Sequence, residues 1–363
     1  MTYNYSGMSK FSNILVTGGA GYIGSVLTRK LVSSKYNVKV LDSLIFGQDG
    51  ISDLVSNKSV KLFSDDIRNE KILMDVLKDV DCVIHLAAIV GEPLCKKIPE
   101  IAKQINELAT KKIVDSCKKA GVQRLIFAST CSNYGSALET VNEDTPLESL
   151  SLYSETKVKS ELNVLNSQDE NFEPCVLRFA TAYGLSPRMR FDLLLQEFIR
   201  DALIDKKISI FGPNHWRPLV HVDDIASACI IAIENSKNIS GEIYNVGDNE
   251  QNYTKKGLAE MIQKHIPSST IEITETKRDP RNYKVSFDKI RNKLNFKVTK
   301  TVEDGISEIL NKINAGTCFL NRCDYLDPAL AWTGVKNSGV GTSLSDLGFM
   351  QLTRAKSFYL RCD

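Results

Sequence analysis

The chain has 363 residues, of which 42% are hydrophobic and 25% charged, and this composition excludes disordered and fibrous architectures. Lys and Arg number 46 against 44 Asp and Glu, and a net charge of +2 argues against nucleic acid or an anionic membrane as the main partner. No apolar run reaches the roughly 18 residues needed to cross a bilayer, so we expect a protein without a membrane span.

From Asn13 onward, short apolar runs alternate with amphipathic segments of helical length. Strands separated by helices indicate β-α-β units and a parallel sheet covered on both faces. The sequence therefore predicts a doubly wound α/β fold. The predicted strands are 14–17, 38–42, 60–63, 82–87, 124–128 and 175–179, and the predicted helices are 23–33, 98–120, 151–166, 193–204, 224–234 and 255–265.

The rhythm changes after about residue 180, where proline-bearing loops are interleaved with helices. We expect residues 13–180 to form mainly the doubly wound domain, and residues 181–316 to form mainly a smaller, discontinuous lobe interleaved with it. A cleft between two such lobes is the default ligand site. Residues 317–363 are rich in Gly and Ser and are not expected to extend the core.

A glycine-rich segment follows the first predicted strand and opens the first helix, reading Thr17-Gly18-Gly19-Ala20-Gly21-Tyr22-Ile23-Gly24. Its glycines permit a tight turn and close approach to a pyrophosphate, and the helix N-terminus supplies free N–H groups. Asp42 ends the second strand, where a carboxylate accepts hydrogen bonds from the ribose hydroxyls of a dinucleotide and repels a 2′-phosphate. This pattern favours NAD over NADP; the alternatives are a plain turn for the glycines and a helix cap or solvated loop for Asp42.

Tyr153 and Lys157 stand at the start of a predicted helix, and a spacing of four places them on one helical face. An ammonium beside a phenol favours the phenolate and lowers the phenol's pKa from near 10, as a base at neutral pH requires. The pattern is weak alone. It gains weight from the glycine-rich segment and from Ser129-Thr130 at the end of an upstream strand.

With these motifs in place, residues 13–315 resemble an extended short-chain dehydrogenase/reductase of the nucleotide-sugar epimerase/dehydratase type. The resemblance implies an NAD-binding Rossmann domain with a nucleotide-sugar lobe. The further motifs that carry it are Asp66-Ile67-Arg68, His85-Leu86-Ala87-Ala88, Asn106, Tyr134-Gly135, Leu177-Arg178, Tyr183-Gly184 and Arg217-Pro218-Leu219-Val220-His221-Val222-Asp223-Asp224.

The resemblance also implies residue roles. Tyr153 is implied as the base that takes a sugar hydroxyl proton while hydride leaves for the nicotinamide, Lys157 as a ligand of the nicotinamide ribose, and Thr130 as a partner of the same hydroxyl. The implied cofactor contacts, with Asp66 and Ile67 at the adenine, are Gly18, Gly21, Tyr22, Ile23, Gly24, Asp42, Asp66, Ile67, Ala87, Asn106, Tyr153 and Lys157. The implied substrate contacts are Thr130, Thr181, Arg190, Arg217 and one of Arg278 or Arg281. For Arg188, Arg190 and Arg217 the alternative is a solvated surface charge.

Departures from the family pattern narrow the chemistry. Where 4,6-dehydratases carry an Asp-Glu pair, this chain has Cys131 and Ser132, so the elimination of water lacks its acid and base. The cysteine of 3,5-epimerising relatives falls at Ser132, and Cys131 is expected to be a packing residue. Thr181 replaces the asparagine of UDP-galactose 4-epimerases. The nucleotide and the sugar therefore stay open.

Nine cysteines without a C-x-x-C pair predict reduced thiols, a cytoplasmic location and no zinc site. The N-terminus is polar, and we expect no secretion signal there. The four histidines do not cluster, so no metal is predicted, and His85 and His221 are expected to be structural hydrogen-bonding groups. The resemblance implies a homodimer formed through the helices at 98–120 and 151–166.

The tail carries a second resemblance. Residues 321–341 and 352–357 look like the extreme C-terminus of aldehyde dehydrogenases. The nucleophile, base and cofactor domain of that family have no counterpart in so short a segment, so we predict no aldehyde oxidation and interpret residues 317–363 as a fusion remnant.

The leading hypothesis is an NAD-dependent epimerase that acts on a nucleoside diphosphate sugar through a 4-keto intermediate. If the keto sugar is released instead, the enzyme is a nucleotide-sugar 4-dehydrogenase or, in reverse, a ketoreductase. A non-catalytic NAD-binding scaffold is the alternative from another class, because a fold does not fix a function.

Overall fold

The computed structural model describes residues 10–235, 237–275, 280–313, 332–334 and 341–343. The chain divides into two compact units, 1–306 and 307–363. The strands are β1 (Asn13–Thr17), β2 (Asn37–Asp42), β3 (Val60–Ser64), β4 (Cys82–His85), β5 (Arg124–Thr130), β6 (Ser136–Val141), β7 (Glu173–Phe179), β8 (Thr181–Tyr183), β9 (Lys207–Phe211), β10 (Trp216–His221), β11 (Glu242–Val246), β12 (Asn252–Thr254), β13 (Thr270–Thr274), β14 (Asn282–Val285), β15 (Trp332–Gly334) and β16 (Gly341–Ser343).

The α-helices connect these strands, and a π-helical turn at Gln104–Leu108 joins two of them. Among the described residues, every helix is too short or too polar to cross a bilayer. The helices are α1 (Tyr22–Ser33), α2 (Ser52–Ser56), α3 (Glu70–Val76), α4 (Glu92–Lys97), α5 (Pro99–Lys103), α6 (Ala109–Ala120), α7 (Leu152–Leu165), α8 (Leu194–Ile204), α9 (Val222–Glu234), α10 (Lys255–His265), α11 (Asp288–Leu294) and α12 (Val302–Ile313).

The central sheet has seven parallel strands in the order β11-β7-β5-β4-β1-β2-β3. Alternate residues of a strand point to opposite faces, and each face carries its own apolar cluster. Ile126 belongs to one cluster and its neighbour Phe127 to the other. The strand order reverses between β1 and β4, and ligands bind at that point in sheets of this kind. The predicted doubly wound α/β fold is confirmed.

Other strands of the first unit form smaller sheets beside those of the central sheet in the sequence. β8 and β12 flank β10, while β9 pairs with β13 and β6 with β14. The seventh strand of the central sheet, β11, lies after residue 180, and β6 lies before it but pairs with β14. The two predicted regions therefore interleave, and the boundaries 13–180 and 181–316 stay a prediction.

In the second unit, β15 and β16 pair as antiparallel strands. They are the described part of residues 317–363. The rest of that segment, including most of the stretch that resembles aldehyde dehydrogenases, lies outside the described residues.

Most predicted elements occur within a few residues of their expected limits, but the predicted helix 98–120 is not one helix. It consists of α5, the π-helical turn and α6, which ends at Gly121 in the left-handed conformation. β4 ends at His85 rather than at residue 87. β5 continues to Thr130, two residues beyond the prediction, because its pairing with β7 runs to Phe179.

Arg124 is a buried arginine at the start of β5 that binds the end of α9. Its Nη1 donates to the carbonyl oxygens of Ala232 at 2.9 Å, Ile233 at 2.8 Å and Asn235 at 2.7 Å. Its Nε donates to Glu173 at 3.0 Å. Since the last carbonyls of a helix lack partners within the helix, one side chain here satisfies the C-terminus of α9 and fixes it to the sheet.

Tyr22 connects the start of α1 to the segment that follows β8. Its hydroxyl donates to the Gly184 carbonyl at 2.7 Å and accepts from Gln196 Nε2, on α8, at 2.9 Å. Its own carbonyl accepts from Ser186 Oγ at 2.7 Å, and that hydroxyl also lies 3.0 Å from Ser25 Oγ. We call these contacts the Tyr22 clasp.

Candidate active site

The glycine-rich turn lies at the switch point of the sheet, between β1 and α1. Gly18 has a φ of +73°, and a Cβ there would lie 2.8 Å from the Ala87 backbone nitrogen. A Cβ on Gly24 would lie 2.1 Å from the Gly18 carbonyl oxygen. Only glycine fits either position. Gly21 is the N-cap of α1 and makes no side-chain hydrogen bond to the first N–H groups of the helix. Those N–H groups therefore suit the pyrophosphate of a dinucleotide.

Asp42 lies beside this turn at the end of β2. Its Oδ2 accepts from the Ala20 backbone N–H at 3.0 Å and its Oδ1 from that of Leu44 at 2.9 Å. The carboxylate therefore holds the turn against the loop after β2. It retains lone pairs for ribose hydroxyls, so the predicted cofactor role and the structural role are compatible.

The predicted adenine contacts follow β3. Ile67 is buried. Asp66 forms an ion pair with Arg68, with Nη2 and Oδ2 2.8 Å apart, and the hydrogen bond from Arg68 holds the pKa of Asp66 below its ordinary value. These observations fix the local shape, and the adenine contacts stay a prediction.

Asn106 lies within the π-helical turn and holds the loop after β4. Its Oδ1 accepts from the Ile89 N–H at 2.8 Å, and its Nδ2 donates to the Ile89 carbonyl at 2.9 Å and to Thr156 Oγ1 at 3.3 Å. All these partners are protein groups. Asn106 therefore positions the loop that carries Ala87, and a direct cofactor contact stays a prediction.

The predicted structural role of the histidines agrees with their contacts. His85 Nδ1 lies 2.7 Å from Thr17 Oγ1, and its Nε2 lies 3.0 Å from Thr110 Oγ1. Burial, reinforced by the Lys157 ammonium, lowers the pKa of His85 to about 3, so the ring is neutral. His221 Nδ1 accepts from the Asp223 N–H at the start of α9. Within the described ranges, no three acidic, histidine or cysteine side chains converge as a metal site requires.

Helix α7 carries Tyr153 and Lys157 and begins at a capping box formed by Ser151 and Ser154. Lys157 is buried, its Nζ donates to the Ala128 carbonyl at 2.8 Å, and the ammonium lies 4.6 Å from the centre of the Phe127 ring. Burial lowers the pKa of Lys157 to about 8. The ammonium is therefore anchored to the sheet at the end of β5.

Tyr153 is partly buried in the first turn of α7. Burial raises the pKa of its phenol to about 12, and the guanidinium groups of Arg190 and Arg281 oppose this effect. The predicted lowering of the phenol's pKa is therefore wrong as a net effect, because burial outweighs the two guanidinium groups that oppose it. Two of the predicted substrate-binding arginines nevertheless lie close enough to influence it.

Thr130, Ser132 and Arg281 meet at the end of β5. Thr130 Oγ1 accepts from the Ser132 N–H at 3.1 Å. Ser132 Oγ accepts from Arg281 Nη1 at 2.9 Å and from the Tyr283 hydroxyl at 3.4 Å. Arg281 is therefore beside the predicted catalytic threonine, while Arg278 lies outside the described residues.

Cys131 is buried in the core, and its Sγ donates to the Arg178 carbonyl at 3.2 Å. Burial raises the pKa of this thiol well above its ordinary value. The observation agrees with the prediction of a packing residue.

Three predicted substrate contacts remain, and one of them, Arg217, lies beside Tyr283. Arg217 is buried on β10, donates to the Trp216 carbonyl at 2.7 Å and lies 5.6 Å from the centre of the Tyr283 ring. Arg190 forms an ion pair with Asp192, with Nη2 and Oδ2 2.6 Å apart. Thr181 begins β8 opposite Leu219 of β10, and its role stays a prediction.

Sequence reasoning missed three residues of the candidate site: Tyr283 and Cys95 near the phenol, and Ser132 beside Thr130. Tyr283 and Cys95 both act electrostatically on Tyr153, and Cys95 Sγ donates to the Ile89 carbonyl at 3.5 Å. The signals were the segment Ile89-Val90-Gly91-Glu92-Pro93-Leu94-Cys95 after the fourth strand, and an aromatic residue two positions after Arg281.

A doubly wound parallel sheet with a glycine-rich turn at its switch point, beside a Tyr–Lys pair one helical turn apart, defines a dinucleotide-dependent protein of the short-chain dehydrogenase/reductase class. Residues 14–247 match the model of the NAD dependent epimerase/dehydratase family, and the chain belongs to that family. NAD is its cofactor.

Known relatives cover most of this chain. The chain is 27% identical over 310 residues to a UDP-glucuronate 4-epimerase of Thermodesulfobacterium geofontis, which covers 82% of this chain and 94% of the relative. The solved UDP-glucuronic acid 4-epimerase of Bacillus cereus, in complex with UDP-glucuronic acid and NAD, is 29% identical with a TM-score of 0.76, covering 83% and 98% of the two chains. A dTDP-glucose 4,6-dehydratase of Streptomyces venezuelae has a TM-score of 0.75 at 24% identity, covering 83% and 97%, which shows the shared fold alone.

Proposed function

We propose that this protein is an NAD-dependent 4-epimerase of a nucleoside diphosphate sugar. The observation that carries the proposal is the arrangement at the end of β5, where Lys157 is anchored to the Ala128 carbonyl and Thr130 is followed by a buried thiol and a serine. The two 4-epimerases described above support it, since each acts on a UDP sugar according to its name.

In the proposed mechanism, Gly18, Gly21 and Gly24 would allow the pyrophosphate of NAD to approach the start of α1. Asp42 would accept hydrogen bonds from the ribose hydroxyls of NAD. The bound cofactor supplies a hydride acceptor and donor at the sugar carbon. Tyr153 Oη takes the proton of the C4 hydroxyl and returns it when the 4-keto sugar is reduced on its other face.

The neighbouring residues prepare this proton transfer. Thr130 Oγ1 orients the C4 hydroxyl, and the Lys157 ammonium holds the nicotinamide ribose. The guanidinium groups near Tyr153 favour its anionic form, because opposite charges stabilise each other. Arg217 and Arg281 suit a diphosphate, since a guanidinium pairs with phosphate oxygens through two hydrogen bonds.

A 4,6-dehydratase is not proposed. Elimination of water from the sugar needs a proton donor and an acceptor, and the two residues after Thr130 are Cys131, whose thiol pKa is raised by burial, and Ser132. Neither supplies the carboxyl group that such chemistry uses in the family.

The test is proton NMR of the purified protein with catalytic NAD and UDP-, GDP-, dTDP- and CDP-hexoses, with NADH absorbance followed in parallel. A new epimer without accumulated NADH supports the proposal. NADH that rises in step with a keto sugar would make the protein a 4-dehydrogenase. No reaction with any sugar would favour the scaffold.

A tyrosine pair provides the matched variants. Tyr153→Phe should lower kcat by about 10²–10⁴-fold, the usual contribution of an acid–base group, and should keep NAD binding in titration calorimetry. Tyr36→Phe removes a hydroxyl that donates to Glu234 away from the site, and should leave kcat unchanged. Equal effects of the two substitutions would contradict the role of Tyr153.

We further propose a homodimer formed through α5, α6 and α7. Ile101 is 42% exposed, Leu108 54% and Leu162 56%, and these apolar side chains lie on the two helical segments that the family resemblance implies at the interface. Light scattering on Leu108→Glu should give a smaller mass than on Leu138→Glu, which replaces an exposed leucine of β6. Equal masses would contradict this interface.

The cytoplasm is the proposed location. All six cysteines within the described residues are free and buried, which suits a reducing compartment. Fractionation of the native host with antibody detection tests the proposal, and recovery of the protein outside the cytoplasm would contradict it.

A further inference from the structure

A buried ion pair joins α7 to the central sheet one helical turn beyond Lys157. Glu161 is 2% exposed and Arg178, on β7, is 3% exposed. Arg178 Nη2 donates to Glu161 Oε2 at 2.7 Å, and its Nε lies 3.1 Å and 3.2 Å from the two carboxylate oxygens. The pair is bidentate, which fixes its orientation as well as its distance.

The carboxylate of Glu161 also binds the strand that carries Thr130. Its Oε1 accepts from Ser129 Oγ and, at 2.8 Å, from Asn133 Nδ2. Ser129 immediately precedes Thr130, and Glu161 follows Lys157 by one turn of α7. A single carboxylate therefore connects the element that carries Tyr153 with the element that carries its predicted partner.

The guanidinium of Arg178 extends the connection. Its Nη1 donates to the Tyr134 hydroxyl at 3.0 Å, and that hydroxyl donates to Asn245 Oδ1 on β11 at 2.9 Å. The Asn245 N–H donates to Glu143 at 2.7 Å. The network thus spans three adjacent strands of the sheet and the segment that follows β6.

Stability alone does not account for such a pair. Two charges lose their hydration when they are buried, and apolar side chains of the same size often stabilise a core equally well or better. What the pair does supply is one defined geometry between α7 and the ends of β5 and β7. We propose that Glu161, held by Arg178, is a positioning residue that sets Lys157 and Thr130 in their working arrangement.

This inference rests on the proposed roles of Tyr153 and Lys157. The charged and titratable groups that face Lys157 are Glu161 from α7, Cys95 from α4 and the neutral His85 from β4. Of these, the Glu161 carboxylate most strongly favours the ammonium. Without that carboxylate the lysine would lose its proton at a lower pH, so the alkaline limit of turnover should also move to lower pH.

The test compares Glu161→Gln with Glu155→Gln, the same substitution at an exposed residue of α7 that pairs with Lys159. In the NAD-bound enzyme, Glu161→Gln should lower kcat at least about tenfold with KM within about twofold, the pattern of lost transition-state stabilisation. The alkaline limb of the pH–kcat profile of Glu161→Gln should move to lower pH. Glu161→Asp, which keeps the charge, should retain the alkaline limb of wild type. Glu155→Gln should match wild type throughout.

Unchanged kcat and an unchanged alkaline limb in folded Glu161→Gln would overturn the proposal. If that variant does not fold, Ser129→Ala decides, because it removes one donor to Glu161 and leaves the buried Glu161 carboxylate paired with Arg178. A several-fold lower kcat at unchanged KM supports positioning, and wild-type kcat overturns it.

A crystal structure of Glu161→Gln separates this proposal from the proposed function. If wild type itself converts no nucleotide sugar, the proposed function is wrong, but the position of Lys157 still tests the inference. Loss of its hydrogen bond to the Ala128 carbonyl supports positioning, and retention of that bond contradicts it.

Discussion

Replacement of Lys157 by Met should stabilise the protein at neutral pH. Lys157 is 3% exposed, and burial lowers its pKa from 10.5 to about 8. Each pKa unit corresponds to about 1.4 kcal/mol, so the buried charge destabilises the folded state by about 3 kcal/mol. The substitution also removes the hydrogen bond to the Ala128 carbonyl, which contributes about 1 kcal/mol. The expected gain in unfolding free energy is about 2 kcal/mol.

The gain should depend on pH. Below pH 8 the lysine is protonated in both states, and the full penalty of the buried charge is present. Between about 8 and 10.5 the unfolded chain binds more protons than the folded protein, so the stability of wild type rises with pH. Met does not titrate, and the advantage of the variant should therefore disappear as the pH approaches 10.5.

Urea unfolding of NAD-free protein, followed by circular dichroism at neutral and alkaline pH, measures both effects. Lys159→Met is the matched control, since Lys159 lies on α7 with 47% of its side chain exposed and its loss should change stability by about 0.5 kcal/mol at most. A Lys157→Met variant that is less stable than wild type at neutral pH, or whose difference is the same at both pH values, would refute the reasoning. The stabilised variant should also lose turnover, since active-site groups often oppose stability.

Four further substitutions test other features. Gly24→Ala places a Cβ 2.1 Å from the Gly18 carbonyl oxygen, and calorimetry should show about a tenfold or greater loss of NAD affinity. Gly121→Ala is the control: its Cβ faces open space at a φ of +76°, so it should lower stability by about 1 kcal/mol and leave NAD affinity unchanged. Equal NAD affinities of the two glycine variants would contradict the argument. Cys131→Ala should keep kcat within about threefold, whereas a loss of about 100-fold would give the thiol an acid–base role. Arg124→Met removes the donor to the last carbonyls of α9 and to the partly buried carboxylate of Glu173, so urea unfolding should show a loss of about 3 kcal/mol. A loss of less than about 1 kcal/mol would argue against the anchoring of α9 by Arg124.

Local signals in the sequence predict the elements that carry the site. Glycines at 18, 21 and 24 act through their own backbone, and the spacing of Tyr153 and Lys157 is set by one helix. The doubly wound sheet follows from the alternation of strands and helices. Each of these features depends on residues that are close in the chain, so the pattern is readable without the structure.

Features that depend on distant residues are not readable in this way. The sequence predicts that Lys157 acts on Tyr153, but the ammonium donates to Ala128 on another element, and burial dominates the pKa of the phenol. The contact of Arg281 with Ser132 joins residues that are 149 positions apart. Burial and partner choice arise when elements pack together, and no local pattern records them.

The Tyr22 clasp gives the fold a thermodynamic property. The helix start that suits a pyrophosphate is bonded through one phenol to Gly184 and to Gln196 of α8, in the region predicted to hold the sugar nucleotide. A ligand that orders either side therefore lowers the entropy that the other ligand must lose on binding. Such coupling is reciprocal, so each ligand should tighten the binding of the other and slow its escape.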